Sequence, residues 1–253
     1  MTGRLDSAPP STQTIPMTLD TLASLLSPFD ALALGVMALG WYLLGWRIEK
    51  ADAKTPSVTI LMAEYRREWL VHFVTRQPRI YDASVISSLR QSTNWLASTT
   101  LLALGGLLAL IGNPDPLRGV AQDLVLDAPS ERAFEMRLLL AALFLSHGFL
   151  KFLWSNRLFG YASIMMSTVP NDPEDPLAYP RARQAAEINI RAAFNFNRGL
   201  RATYFALASL AWLFGPWTLL ASTAFVIWLI WSREYASHSR AVLLDPPPGT
   251  RAE

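Results

Sequence analysis

Long apolar runs, interrupted by short polar connections that contain arginine, dominate the pattern of the chain. The runs cover residues 29–46, 94–112, 138–154 and 202–231, and they contain almost no charge. A helix rises about 1.5 Å per residue, so about 20 apolar residues cross about 30 Å of hydrocarbon. The pattern therefore predicts transmembrane helices over these runs.

Local signals mark where two of these helices begin or end. Ser27, Pro28 and Asp30 place an N-cap, a proline at the first helical position and an acid two positions later. A capping role explains Asp30 better than a proton path through the membrane does. The second run ends at Gly112, and Pro114 cannot continue that helix.

The last run is too long for one straight span. Its 30 uncharged residues would make a helix about 45 Å long. Gly215 and Pro216 lie near its middle and predict a break. Two arrangements remain open: a hairpin of two segments, 202–214 and 217–231, or one kinked and tilted span.

Lysine and arginine counts give the orientation, since short cytoplasmic connections are enriched in them. Residues 47–93 carry eight and residues 155–201 carry six, whereas residues 113–136 carry two against five acids. We therefore expect the N-terminus outside and the first and third connections in the cytoplasm. Arg233 and Arg240 follow the last run, which favours the hairpin, five segments and a cytoplasmic C-terminus. Four spans with the C-terminus outside are the alternative.

The connections themselves have helical patterns. Apolar residues recur at helical spacing from Val58 to Phe73, and Pro78 ends that pattern. Residues from Tyr81 continue into the second span, and residues 182–200 lead into the last apolar run. The predicted fold class is all-α: a polytopic transmembrane helical bundle with long helices projecting into the cytoplasm.

The domain boundaries follow from the same pattern. Residues 19–240 are predicted to form a single membrane domain, between disordered tails at 1–18 and 241–253. The hydrophobic content of 51% and the nine tryptophans agree with a membrane protein. Nucleic acid is excluded as a partner because the net charge is only +2 and no basic stripe with stacking aromatics is present.

Several kinds of chemistry have no residues to support them. The chain has no cysteine, which excludes disulfides, thiolate metal sites and cysteine nucleophiles. The three histidines, His72, His147 and His238, have no second ligand at metal-binding spacing. No phosphate-binding loop, dinucleotide fingerprint or hydrolase motif occurs, so no cofactor is predicted.

Basic residues at the cytoplasmic ends of the spans form the main candidate site, for an anionic ligand. Arginine forks grip phosphate or carboxylate with two hydrogen bonds. An alternative explains the sequence equally well: these charges only fix the orientation of the helices in the membrane. The proposed ligand-binding residues are Lys151, Arg157, Arg198 and Arg201, with Asn94, Asn197 and Tyr204 as neutral hydrogen-bonding groups; Arg79 and Arg90 are expected nearby.

Two further polar positions are singled out. His147 and Lys151 lie four residues apart on one helix face, and ionisable groups inside a membrane are functional candidates by default. The favoured interpretation is structural: His147 donates one hydrogen bond within the bundle, and Lys151 extends its ammonium toward water. We also expect Asp82 to pair with an arginine.

Several local strings occur in a distinctive order and at distinctive separations: Asp82 followed by residues 94–100, then 151–157, 196–201 and 204–207, Pro216, and 233–235. Over residues 28–240 they resemble the domain of unknown function 599 family of bacterial and plant membrane proteins. The resemblance implies an integral membrane protein, and it supplies no activity, cofactor or catalytic residue.

Three function hypotheses follow. The first is a protein of the bacterial inner membrane that binds an anionic lipid or metabolite in a basic cytoplasmic pocket, as an accessory or partner subunit. The second is a small oligomeric transporter or channel with Gly215-Pro216 as a broken helix, which would need a homo-oligomer. The third, a membrane-embedded enzyme, could begin only from His147 and Lys151 and is disfavoured. The expected partners are membrane lipids and a membrane protein or a second copy.

Overall fold

The computed structural model describes residues 26–51, 54–113 and 130–245, and every regular element in these ranges is helical. This confirms the all-α class. The predicted tail 1–18, residues 246–253 and most of the connection 113–136 lie outside the described residues. The helices are α1 Pro28–Glu49, α2 Val58–Thr75, α3 Ile80–Gly112, α4 Glu131–Ser167, α5 Ala178–Leu210, a 3₁₀ turn Ala211–Phe214, α6 Pro216–Tyr235 and α7 His238–Leu244.

The start of α1 is a capping box. The Ser27 hydroxyl accepts a hydrogen bond from the Asp30 backbone N–H at 3.1 Å, and the Asp30 carboxylate accepts one from the Ser27 N–H at 3.0 Å. Pro28 occupies the first turn, where its missing N–H costs nothing. The capping role predicted for Asp30 is therefore confirmed.

The chain turns back on itself at Gly215. This residue has a φ of 115°, a conformation that favours glycine, and Pro216 then starts α6. Ser222 of α6 donates a hydrogen bond to the Ala208 carbonyl of α5 at 2.9 Å, across the turn. The two helices are thus the arms of a hairpin and not the halves of one kinked helix.

Within the described residues, three helices are long and apolar enough to cross a membrane: Pro28–Glu49, Ile80–Gly112 and Arg132–Ser167. Only 17% of the apolar window of α3 is buried inside the protein, so most of its apolar surface faces outward, as in contact with lipid. The hairpin segments 202–214 and 217–231 do not belong to that set, and their place in a membrane stays a prediction.

The α5–α6 hairpin forms the main core with α1. Trp212 at the turn is buried against α1, and so is Phe205, about two helical turns before it in α5. Leu219 and Val226 of α6 are buried in the same cluster. Asp30 contacts Trp212 at one end of α1, and Arg47 contacts Tyr235 of α6 at the other end. α1 and α6 therefore run parallel, with α5 antiparallel to both.

Beyond the end of α1, four helices continue as a separate bundle. α1 ends at Glu49, which contacts Arg198, so the first 20 residues of α5 extend about 30 Å past it. Ser57 fixes the start of α2 there by donating to the Ile48 carbonyl at 2.7 Å. We call this part the projecting half; it comprises α2 and residues 80–93, 155–167 and 178–197, and it confirms that the long helices extend past the apolar spans.

One predicted tail is ordered in part. Residues 241–244, expected to be disordered, belong to α7. Ser237 caps this helix by accepting from the Arg240 N–H at 3.2 Å, and the Arg240 side chain donates to the Pro56 carbonyl at 3.0 Å. The cap at Ser237 and the contact of Arg240 with Pro56 thus stabilise a helix that the local sequence pattern did not predict.

Gly199 of α5 lies in close contact with α4. A Cβ at this position would lie 2.7 Å from the Phe152 ring, which is fully buried and cannot move away freely. We expect Gly199→Ala to lower the free energy of unfolding by about 1–3 kcal/mol through overpacking. Gly35→Ala is the matched control, because nothing lies within 4 Å of a Cβ there. The check is the thermal unfolding temperature in one detergent; an equal change in both variants would contradict the expectation.

Candidate functional site

A groove of about 360 Å³ opens between α1, α4 and α5, near the end of α1. It collects several of the residues singled out in the sequence together with aromatic side chains of α1. We call it the basic groove; its lining residues are Trp41, Tyr42, Gly45, Trp46, Glu49, His147, Lys151, Arg198 and Arg201.

Helical spacing explains why these positions meet. His147 and Lys151 are four residues apart on α4, and Arg198 and Arg201 are three apart on α5, so each pair shares one face. On α1 the lining positions recur over two turns and end at Glu49. Each helix therefore turns one polar or aromatic strip toward the groove.

Glu49 binds both arginines of the groove. Its carboxylate accepts two hydrogen bonds from Arg198 Nε, at 3.0 and 3.1 Å, and further short bonds from the Nη2 atoms of Arg198 and Arg201. The hydrogen bond from Arg198 to Glu49 raises the pKa of this guanidinium above its usual range. Both arginines are therefore held in fixed positions as cations.

Sequence reasoning missed Glu49, because it counted only the cations at the ends of the spans. A signal was present in the sequence. An acid in the last turn of a helix opposes the helix dipole, so it needs another partner. Glu49 is the last residue of α1, and Arg198 and Arg201 are those partners.

Lys151 gives the groove its excess positive charge. The lining of the groove includes three cations, Lys151, Arg198 and Arg201, but the carboxylate of Glu49 pairs only with the two arginines. Lys151 is half-buried and makes no ion pair with any residue that the structure describes. The groove therefore carries a net positive charge with one cation available to a ligand.

His147 makes an aromatic contact. Its ring packs edge-on against Trp41, with centroids 5.3 Å apart and planes at 87°. The hydrogen bond predicted for His147 within the bundle does not occur among residues 26–51, 54–113 and 130–245. His147 therefore forms part of the aromatic wall of the groove, one helical turn from Lys151.

The other proposed ligand-binding residues lie elsewhere. Arg157 stacks against Trp154 and Tyr161 on an exposed face of α4. Arg157 follows Lys151 by six residues, so the two side chains point about 120° apart around the axis of α4. Asn94 lines a different, polar groove between α3 and α4.

Asn197 and Tyr204 also lie apart from the basic groove. Asn197 Nδ2 donates to Thr59 Oγ1 at 3.1 Å, on a neighbouring face of α5. Tyr204 packs against the core cluster around Phe205. The structure thus brings together Lys151, Arg198 and Arg201 of the predicted cluster and separates its other members.

Two more basic residues have structural partners. Arg79 donates to the carbonyls of Val169 and Pro170, both at 2.8 Å, and joins α3 to the α4–α5 turn. Arg76 pairs with Asp82 at 2.5 Å, which confirms that Asp82 has an arginine partner. Neither arginine lines the basic groove.

Asp30 lies at the opposite end of α1 from the basic groove. Besides capping the helix, its carboxylate accepts a hydrogen bond from Trp212 Nε1 at 2.6 Å, and both residues are buried. Asp30 thus joins the start of α1 to the hairpin turn. Among the described ranges, no group of three or more metal-ligating side chains is present.

The fold and the groove define an all-helical protein in which three helices have the length and composition of membrane spans. A family described as "Protein of unknown function, DUF599" matches residues 31–239. The match covers more than half of the chain, so the chain belongs to this family, which confirms the resemblance found in the sequence. No curated protein and no solved structure matches it.

Proposed function

We propose that this protein is an integral protein of the bacterial inner membrane that binds the phosphate of an anionic lipid in the basic groove, as an accessory or partner subunit. The observation that carries the proposal is Lys151, a cation with no ion pair among the described residues, beside two arginines that are held in place. Phosphate oxygens accept the charge-assisted hydrogen bonds that such a set can donate.

The position of the groove supports a lipid as the source of the phosphate. It lies at the end of the apolar helix α1, and Trp46 and Tyr42 at its rim are exposed. Exposed tryptophan and tyrosine at the end of a span are typical of the headgroup level of a bilayer. A lipid could therefore place its phosphate in the groove and its chains along α1.

The direction of the helices supports five segments with the C-terminus in the cytoplasm. α1 and α6 run parallel, and α5 runs against both. α4 is antiparallel to α5, because Arg137 contacts Leu213 and Arg181 contacts Thr168. Gly215-Pro216 lies at the Asp30 end, away from the groove, so it gives the transporter hypothesis no support at this site.

We expect Lys151→Gln to reduce the anionic phospholipid that co-purifies by about tenfold, the loss of one charge-assisted hydrogen bond. Native mass spectrometry of protein extracted in mild detergent measures the bound lipid. Lys151 is preferred to Arg198 and Arg201 because their removal would also leave Glu49 without its partners.

Arg157→Gln is the matched control, since it removes one positive charge from the same helix outside the groove. It should retain the lipid of the original protein. An equal loss in both variants would mean that the charges attract bulk lipid only and would overturn the proposal. Binding of soluble glycerol phosphate as tight as that of phosphatidylglycerol would assign the groove to a metabolite.

A further inference from the structure

A second cavity lies inside the projecting half. It has a volume of about 260 Å³, lies among α2, α3, α4, α5 and the end of α6, and shares no lining residue with the basic groove. Its walls are mainly apolar and include Met62, Phe159, Phe194 and Phe196, but Arg66 and Glu234 also line it. An apolar chamber with two opposite charges is the form of a small-molecule site.

Glu234 supplies the negative charge. Its carboxylate accepts hydrogen bonds from the Thr59 backbone N–H at 3.0 Å and from the Thr59 hydroxyl at 2.9 Å. Asn197 Nδ2 donates to the same hydroxyl oxygen at 3.1 Å, so the hydroxyl proton points to Glu234. Thr59 therefore holds both carboxylate oxygens in place, and Glu234 forms no ion pair within the described part of the chain.

Arg66 supplies the positive charge at a distance. It follows Thr59 by seven residues on α2, so it lies on the same face about 10 Å further along the helix axis. Its guanidinium donates to Asn189 Oδ1 and forms no ion pair with the residues that the structure describes. Burial lowers the pKa of Arg66, yet a guanidinium stays protonated in a protein.

The surroundings of Arg66 contain a second unsatisfied group. Asn189 is fully buried, and its Nδ2 has no hydrogen-bond partner among the described residues. A partly buried cation with only a neutral acceptor is costly, as is a buried donor without any acceptor. The polar groups at this end therefore lack the negative partner that would compensate for their burial.

We propose that this cavity binds a small zwitterion with an apolar body, its carboxylate at Arg66 and its ammonium at Glu234. The two protein charges lie too far apart to pair, because Arg66 contacts Asn189 whereas Thr59, the partner of Glu234, contacts Asn197, eight residues further along α5. The walls between them are mainly apolar. A ligand with one charge at each end would satisfy both and would place its body against the phenylalanine rings. No bond forms or breaks in this step.

The test uses three probes of one shape and the full-length protein in detergent. 4-(Aminomethyl)benzoate carries both charges at opposite ends of a ring, 4-methylbenzoate lacks the ammonium, and 4-methylbenzylamine lacks the carboxylate. Isothermal titration calorimetry gives each Kd. We expect the zwitterion to bind at least about tenfold more tightly than either singly charged probe. Equal affinities, or no binding of the zwitterion at millimolar concentration, would overturn the proposal.

Two variants assign the ends of the ligand. Arg66→Gln should weaken the binding of the two probes with a carboxylate by about tenfold and leave the binding of 4-methylbenzylamine unchanged. Glu234→Gln should weaken only the binding of the two probes with an ammonium. Arg67→Gln is the control, since Arg67 is next to Arg66 in the chain but its side chain points outward and pairs with Glu64 and Glu187. Unchanged zwitterion binding in both cavity variants would refute the site. All three variants keep Lys151, so their retained anionic lipid should equal that of the original protein, which separates this test from that of the basic groove.

Discussion

Glu49→Gln is expected to lower stability and to strengthen anionic-lipid binding at the same time. The carboxylate of Glu49 lies between Arg198 and Arg201, and Arg201 is almost fully buried. Without it, two guanidinium groups face each other with no counter-ion, which costs about 3 kcal/mol because Arg201 is buried and only Arg198 is partly exposed. An added phosphate can then take the place of the carboxylate. Phosphatidylglycerol should therefore raise the unfolding temperature of the variant more than that of the original protein.

The measurement is thermal unfolding in detergent, followed by tryptophan fluorescence, with phosphatidylglycerol or phosphatidylcholine added. Glu64→Gln is the control, because Glu64 pairs with Arg67 on an exposed surface where such a pair contributes little. A Glu49→Gln variant with unchanged stability would show that the ion pairs do not support the fold. Equal stabilisation by the two lipids would show that the freed arginines do not recognise anionic headgroups.

Asp82→Ala is expected to destabilise the projecting half. Asp82 is completely buried, and its Oδ1 accepts hydrogen bonds from Trp69 Nε1 and Arg76 Nη1, both at 2.5 Å. These bonds tie α2 to the start of α3. Removing the carboxylate leaves both donors without a partner and should cost about 2–3 kcal/mol, less than a fully buried pair because Arg76 is partly exposed.

Hydrogen exchange can locate this loss. In Asp82→Ala we expect faster exchange in α2 and in the first turns of α3, with little change in α1 and α6. Glu68→Ala serves as the comparison, since Glu68 is exposed and contacts the equally exposed His72. Asp82→Asn should fall between the two, because its amide oxygen still accepts hydrogen bonds from Trp69 and Arg76 but carries no negative charge to pair with Arg76. If Asp82→Ala resembled Glu68→Ala, the buried network would be unimportant for stability.

Local sequence signals were sufficient for the helices. The cap at Ser27, the break at Gly215-Pro216 and the helical repeat before Pro78 all depend on residues close in the chain, and α1, α6 and α2 follow from them. The end of α7 was missed because its order depends on a contact between Arg240 and Pro56, far apart in sequence.

The site was predicted only in part, for a different physical reason. Grouping basic residues by the side of the membrane brought Arg157 together with Lys151, but helical geometry turns them to different faces. Contacts between distant helices were not accessible either. Glu234 meets Thr59 across 175 positions of the chain, and no local pattern predicts that pairing.

The length of α4 has a mechanical consequence. Its 37 residues make a rod about 55 Å long, about 25 Å more than the hydrocarbon core of a bilayer. α5 packs along α4 over this length: Arg137 contacts Leu213 at one end, and Arg181 contacts Thr168 at the other. The two helices therefore form one stiff antiparallel pair. A change of about 10° in the tilt of this helix pair, within the range that bilayer thickness imposes, would displace the end that projects from the bilayer sideways by about 4 Å.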